Sequence, residues 1–256
     1  MTSGESTLDT TLHTSAWIPG PSQVVREALM LTQLPRGVAG LLWRCVRPDV
    51  AVHVREEIGD HRDLPPHLAD ATERDQPIEH GYGPALHREF RVRVVGTRRR
   101  AAELIDAIAR DMNRAVVPGV ARFDYVACSG AMAVGEELVV RMLGPWDGPV
   151  RVLRRDETSF RLGTLVGHLE AGQIEFAARD LDADTLEFTI TTWARAGDRV
   201  ADVLYTRLGL GKQIQYLLWV EFCARAATLA GGRAPDGVTV LTRTVSWPDG
   251  DFAEAV

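Results

Sequence analysis

The densest run of groups able to do chemistry is Gly163-Thr164-Leu165-Val166-Gly167-His168, at the end of one strand-like segment and the turn into the next. Gly163 and Gly167 allow positive φ or close backbone approach, and His168 and Thr164 bring a donor, an acceptor and a proton-transfer group to a cavity mouth. The plainer reading is a turn in which His168 caps a carbonyl, since a lone histidine without a partner is seldom catalytic. Glu170 is the nearest candidate partner. Farther on, Gln215, Tyr216 and Trp219 sit together on a helical pattern. A helix-borne amide could orient a ligand carbonyl or hydroxyl, and the two aromatics could wall an apolar pocket. Aromatics at helical spacing are more often plain core; Gln215 is the sharper candidate, because burying a primary amide requires partners.

Other chemical lookalikes do not survive their spacing. His61-Arg62-Asp63-Leu64 copies the opening of a kinase catalytic loop, but Leu68 stands where the metal-binding Asn belongs. Gly209-Leu210-Gly211-Lys212 lacks the Ser or Thr and the first glycine of a phosphate loop. The 7 histidines never occur as His-x-x-x-His or beside paired Cys, so neither a metal nor a cofactor is expected. Cys45, Cys128 and Cys223 are far apart in apolar surroundings and read as buried free thiols.

The chain has 256 residues, 45% apolar and 25% charged, enough for one large core without staples. Its formal charge is −6, from 29 basic and 35 acidic residues, with Lys212 the one lysine. That balance argues against phosphate-backbone binding, so no nucleic-acid partner is expected. No run approaches the ~18 apolar residues of a membrane span. The first residues lack the basic and apolar regions of a secretory signal, and a cytoplasmic location is the expectation.

The elements that must position these groups follow from periodicity. Residues 1–20 read as a flexible tail, and 21–84 as a helical and irregular extension with helical spacing over 22–34, a further apolar stretch over 38–46 and a polar, proline-rich connection over 47–84. Between His87 and Val95, Phe90, Val92 and Val94 alternate with charged residues, which predicts a half-buried strand. Thr97 is a candidate N-cap for an amphipathic helix carrying Leu104, Ile105, Ile108 and Met112. Strands are expected at 121–127, 137–143, 149–155, 158–165, 173–180 and 185–194, then a long helix from Asp198 to Ala230 that Gly209 and Gly211 bend or split, and a short strand over 238–245. On 137–143, Leu138, Val140 and Met142 form the expected inner set and Glu137 and Arg141 the outer; Phe123 and Tyr125 are placed inside. This order predicts an α+β fold, a curved antiparallel sheet of about seven strands around a long C-terminal helix, the helix-grip arrangement, with a pocket between sheet and helix. The grip domain is expected over 85–232, with 233–256 as a C-terminal strand and acidic tail.

Phe160-Arg161-Leu162-Gly163-Thr164-Leu165-Val166-Gly167-His168 resembles the signature of the domain-of-unknown-function family 1990. That family reads Tyr-Gly-Thr-Leu-Pro-Gly-His there, followed by Gly-Glu-Glu-x-Phe. Here Leu162 and Val166 replace the Tyr and Pro, and Gly172-Gln173-Ile174-Glu175-Phe176 keeps the Gly and Phe. Trp193-Ala194-Arg195-Ala196 is similar to a degenerate Phe-Ser-Arg-Pro, and Gln215 falls where the family's helix glutamine lies. The likeness covers about residues 82–230. It implies a relative of the START and Bet v 1-like (SRPBCC) superfamily, whose members bind lipids, steroids and hormones or act as cofactor-free polyketide cyclases and dehydratases. It also implies Phe176, Trp193 and Arg195 as ligand-binding positions beside Gly163, Gly167, Phe123, Tyr125, Tyr216 and Trp219.

Three functions compete. The first is binding of a hydrophobic, lipid- or polyketide-like small molecule between sheet and helix. The second is a cofactor-independent cyclase, dehydratase or isomerase acting on a bound carbonyl compound, with His168 as general acid or base and Thr164 and Gln215 holding the developing oxyanion. The third is an interaction or assembly module using the N-terminal extension. Oligomeric state is open at this point.

Overall fold

The computed structural model describes residues 50–68, 70–118, 120–126, 132–142, 147–197 and 210–247, the side chains of 142 and 210–215 excepted. The helical stretches expected over 22–34 and 38–46, the tail 1–20, Cys45, Cys128 and the 198–209 portion of the long helix lie outside them.

Alternation builds the sheet. In β2 (Tyr82–Val95), Phe90, Val92 and Val94 are fully buried while Arg91 and Arg93 are exposed. A single nine-stranded sheet results, in the order β1-β9-β2-β8-β7-β6-β5-β4-β3. The remaining strands are β1 (Val52–Ile58), β3 (Ala121–Tyr125), β4 (Glu137–Met142), β5 (Asp147–Arg155), β6 (Ser159–Thr164), β7 (Glu170–Asp180), β8 (Thr185–Ala196) and β9 (Val238–Val245). Every neighbouring pair is antiparallel except β1 with β9, which is parallel.

The count exceeds the expected seven for two reasons. β9, outside the grip domain as read from sequence, is hydrogen-bonded inside the sheet between β1 and β2. β1 was unrecognised within the polar connection because it is exposed almost throughout, Ile58 by 95%, and so carries no burial pattern.

The inner face is apolar, as the alternation on β4 predicted. Leu138 and Val140 are buried, whereas Glu137 forms a bidentate pair with Arg74 (2.6 and 3.0 Å) and Arg141 pairs with Asp124 and Asp147 on the other side. Two helices cover this face. α1 (Ala101–Arg110) buries Leu104, Ile105 and Ile108. It starts beyond Thr97: the backbone N–H of Ala101 donates to Asp180 on β7 (3.0 Å) and that of Arg100 to Glu103 (2.9 Å), so the cap comes partly from the sheet. α2 (Leu210–Leu229) contains Gly211 in its first turn, and Leu218 through Cys223 are buried in succession, so over that stretch the helix is buried all round. Cys223 is a buried free thiol whose pKa burial pushes up.

The opposite face is partly covered by the 60–81 segment, which acts as a strap. It opens with a short 3₁₀ turn over His61–Asp63, closed by Asp63 Oδ2 accepting from Asp60 N–H (3.0 Å) and Asp60 Oδ1 accepting from Arg62 N–H (2.8 Å). Beneath the strap, Ile78, Ala85, Trp193 and Val245 form a second small core with Leu64 and Trp247 against it. The strap is anchored by Asp75, whose Oδ2 accepts from the Thr72 N–H (2.6 Å), the Thr72 hydroxyl (2.8 Å) and Arg151 on β5 (2.7 Å). Asp75 is 2% exposed, and truncating it leaves a guanidinium and two further donors without their acceptor. Asp75→Ala is therefore expected to lower unfolding free energy by about 3 kcal/mol, read as a lower urea midpoint; an unchanged midpoint would mean that the strap adds no net stability.

Candidate functional site

The glycine-rich run forms the end of β6 and the turn into β7, and the strap is stitched to it. The backbone N–H of Gln76 donates to Thr164 O (2.8 Å), and Gly172 N–H donates to Gln76 O (3.1 Å). The Gln76 side chain works in both directions: its amide donates to His168 O (3.1 Å) and Glu170 O (3.3 Å), while its Oε1 accepts from Gly167 N–H (3.3 Å). Gly167, at φ 99°, makes the turn. At Gly172 the reason is space, since a Cβ there would lie 1.9 Å from the Trp193 carbonyl oxygen.

Between this turn, the inner sheet face and α2 lies a cavity of about 160 Å³. Phe123, Val140, Val150, Leu162 and Phe176 wall it from the strands, and Leu218 and Trp219 from α2. Phe176 sits at the centre of the aromatic packing, stacked on Phe160 (4.8 Å) and edge-on to Trp219 (5.6 Å). Trp219 Nε1 is buried with no hydrogen-bond partner among the described residues. Its polar lining residues are Thr164, His168, Glu170, Gln173 and Thr192.

The two chemical groups of the turn differ in availability. The Thr164 hydroxyl accepts from Gly172 N–H (2.9 Å) and lies 2.8 Å from Gln76 O and 3.2 Å from Gly172 O, so its proton is spent on the backbone. His168 Nδ1 accepts the backbone N–H of Glu170 (2.9 Å). The Glu170 carbonyl, 3.1 Å from Nδ1, already takes the Gln76 amide. The contact from Glu170 N–H is satisfied by the tautomer with Nδ1 unprotonated and the ring proton on Nε2. Burial lowers the pKa of His168 to about 4, the neighbouring Glu170 main chain offsetting only part of that. At neutral pH the ring is uncharged and a weak base.

Of the residues singled out from sequence, Thr164, His168, Phe123, Phe176 and Trp219 come together around the cavity. Trp193 borders it through its main chain: its ring turns to the strap side, stacked on His87 (5.4 Å) and beneath Arg161 (5.4 Å). Arg195 is on that side too, donating to Gly83 O (2.8 Å) and Ile78 O (3.3 Å) with its guanidinium over Trp247. Gly163 packs against Leu153, and Gly167 faces open space. The Tyr125 hydroxyl bridges Ala109 O and Met112 N–H beyond α1, and the Tyr216 ring lies 6.0 Å from Phe90. Gln215 is on α2, its side chain outside the described residues. Gln76 was missed. It sits in a polar, proline-rich run whose composition says surface, and its partners are about 90 residues away in sequence. Among the described residues no three His, Cys, Asp or Glu side chains gather as a metal site, and no helix is long and apolar enough to cross a membrane.

The model of a domain of unknown function (DUF1990) matches residues 70–225, a span that starts with the strap and includes the whole turn. No curated protein matches the chain. Similar solved structures include the Zhui aromatase/cyclase of Streptomyces sp. R1128, 14% identical, covering 57% of this chain and 94% of its own with a TM-score of 0.44. Truncated norcoclaurine synthase of Thalictrum flavum is 11% identical over 54% and 93%, TM-score 0.36. A conserved protein of Geobacillus kaustophilus is 13% identical over 57% and 95%, TM-score 0.40.

The low pKa of His168 has a sign that can be checked. Between the folded value of about 4 and the unfolded value near 6.5, the unfolded chain binds more protons, so stability is lost as pH falls through that window. The loss is on the order of 2 kcal/mol, allowing for the ring's partial access to the cavity. His168→Asn, which keeps an acceptor for Glu170 N–H, is expected to flatten that part of the stability profile in urea titrations from pH 7 to 4; an identical slope in the variant would contradict the assignment.

Proposed function

We propose, from the premise that this chain belongs to the DUF1990 family, that it binds a small hydrophobic molecule in the cavity between the curved sheet and α2. One observation carries the reading: a mostly apolar space of about 160 Å³, walled by Phe123, Val150, Leu162, Phe176 and Trp219, with Thr164, His168, Glu170, Gln173 and Thr192 as the polar residues of its lining. An apolar cavity of roughly 150 Å³ is known to admit a benzene-sized guest, whereas sites for drug-sized ligands run to about 300–1,000 Å³. That volume suits a hydrophobic guest of one ring or a short chain.

Binding fits the polar lining better than acid–base catalysis does. His168 is a weak base at neutral pH, and the Thr164 proton is committed to the backbone. Neither is poised to move a proton.

The test is native mass spectrometry of protein purified from its own host, with thermal denaturation against a library of single-ring and short-chain apolar compounds. A guest held at 100 times its Kd stabilises the fold by about 2.7 kcal/mol. Ile174→Trp, which enlarges a half-buried residue on the cavity wall, is expected to abolish that gain while leaving the unliganded melting temperature within a few degrees. No co-purified mass and no stabilising compound would overturn the reading.

A further inference from the structure

The polar lining of the cavity selects what the guest must carry. We infer that the ligand is a neutral molecule bearing a hydrogen-bond acceptor, a carbonyl oxygen on a single ring or short chain, which receives the Nε2–H of His168. The inference rests on the binding reading above and goes further by assigning the ligand's polar group.

The ring geometry supports this independently of pH. Nδ1 is occupied by Glu170 N–H, and Nε2 has no partner among the described residues, nor is it sealed off as Trp219 Nε1 is. His168 is among the residues that line the cavity, and with Nδ1 accepting from Glu170 its remaining ring nitrogen, Nε2, is a donor. A donor in an apolar space favours a guest that can accept, because an apolar guest displaces water from it without replacing the bond. A charged guest is disfavoured: His168 stays neutral down to about pH 4, so no cation on the ring offsets the desolvation of an anion. Gln76 is the positioning residue, holding the carbonyls of His168 and Glu170 on one amide so that the ring keeps its orientation.

Acetophenone and ethylbenzene are nearly the same size and differ in the carbonyl, so the pair separates donor recognition from filling of the cavity. Calorimetry on the full chain measures both affinities in the wild type and in His168→Phe. The ratio of acetophenone to ethylbenzene affinity is expected to fall roughly tenfold in the variant. Long-range proton–nitrogen NMR of the wild-type ring supplies a readout that does not depend on the variant folding: the proton is expected on Nε2, whose signal shifts with acetophenone and hardly moves with ethylbenzene. An unchanged ratio, or a proton on Nδ1, overturns the inference while ethylbenzene binding leaves the cavity reading standing. If the wild type binds neither compound, the cavity reading fails and this inference with it.

Discussion

A sheet this wide has two faces to cover, and the alternation of each strand decides what each cover must be. On one side Phe90, Val92, Phe160, Phe176, Phe188 and Ile190 are all fully buried, so only an apolar helix can sit there. On the other, the strands present Arg161, Glu175, Trp193 and Arg195, and a polar strap with its own ion pairs suffices. The cavity exists because an enclosed helix meets a concave face without filling its end. Where the packing stops, backbone groups of the β6–β7 turn need partners, and the strap supplies them through a single amide.

This division accounts for what could be read from residues alone. Period-two alternation located β2 and the inner face of β4, and the three-and-four spacing of Leu104, Ile105 and Ile108 located α1. β1 escaped because a strand exposed on nearly all its residues has no alternation in burial to betray it. Trp193 teaches a different lesson. Counting by twos from Phe188 and Ile190 puts its ring on the far side, where it stacks on His87, whereas the family likeness implies a place beside the ligand. Gln76 had no local signal, because its value comes entirely from residues 164–172 folding back beneath it.

Function at the site turns on the same accounting of backbone groups. A histidine whose Nδ1 is spent on the main chain has one face of its chemistry removed, and burial removes its charge. What is left is a neutral donor on a fixed ring. Thr164, bound to Gln76 and Gly172, serves as a rivet between strap and sheet. The two residues with the most promising chemistry in the sequence thus divide into one that holds the turn and one that lines the cavity.

The position of β9 has a consequence for how the molecule is made. β2 begins at residue 82, yet one of its two hydrogen-bonded neighbours is 238–245, and β1 joins the sheet through β9 alone. During synthesis, β2 must wait for more than a hundred residues before that edge is closed, although β8 can already pair with the other. Such long-range pairing slows folding and leaves an open strand edge exposed on the ribosome. Pairing of β1 and β2 with β9 is thus the longest-range step in closing the sheet, and most of the cavity-lining strands precede β9 in the chain.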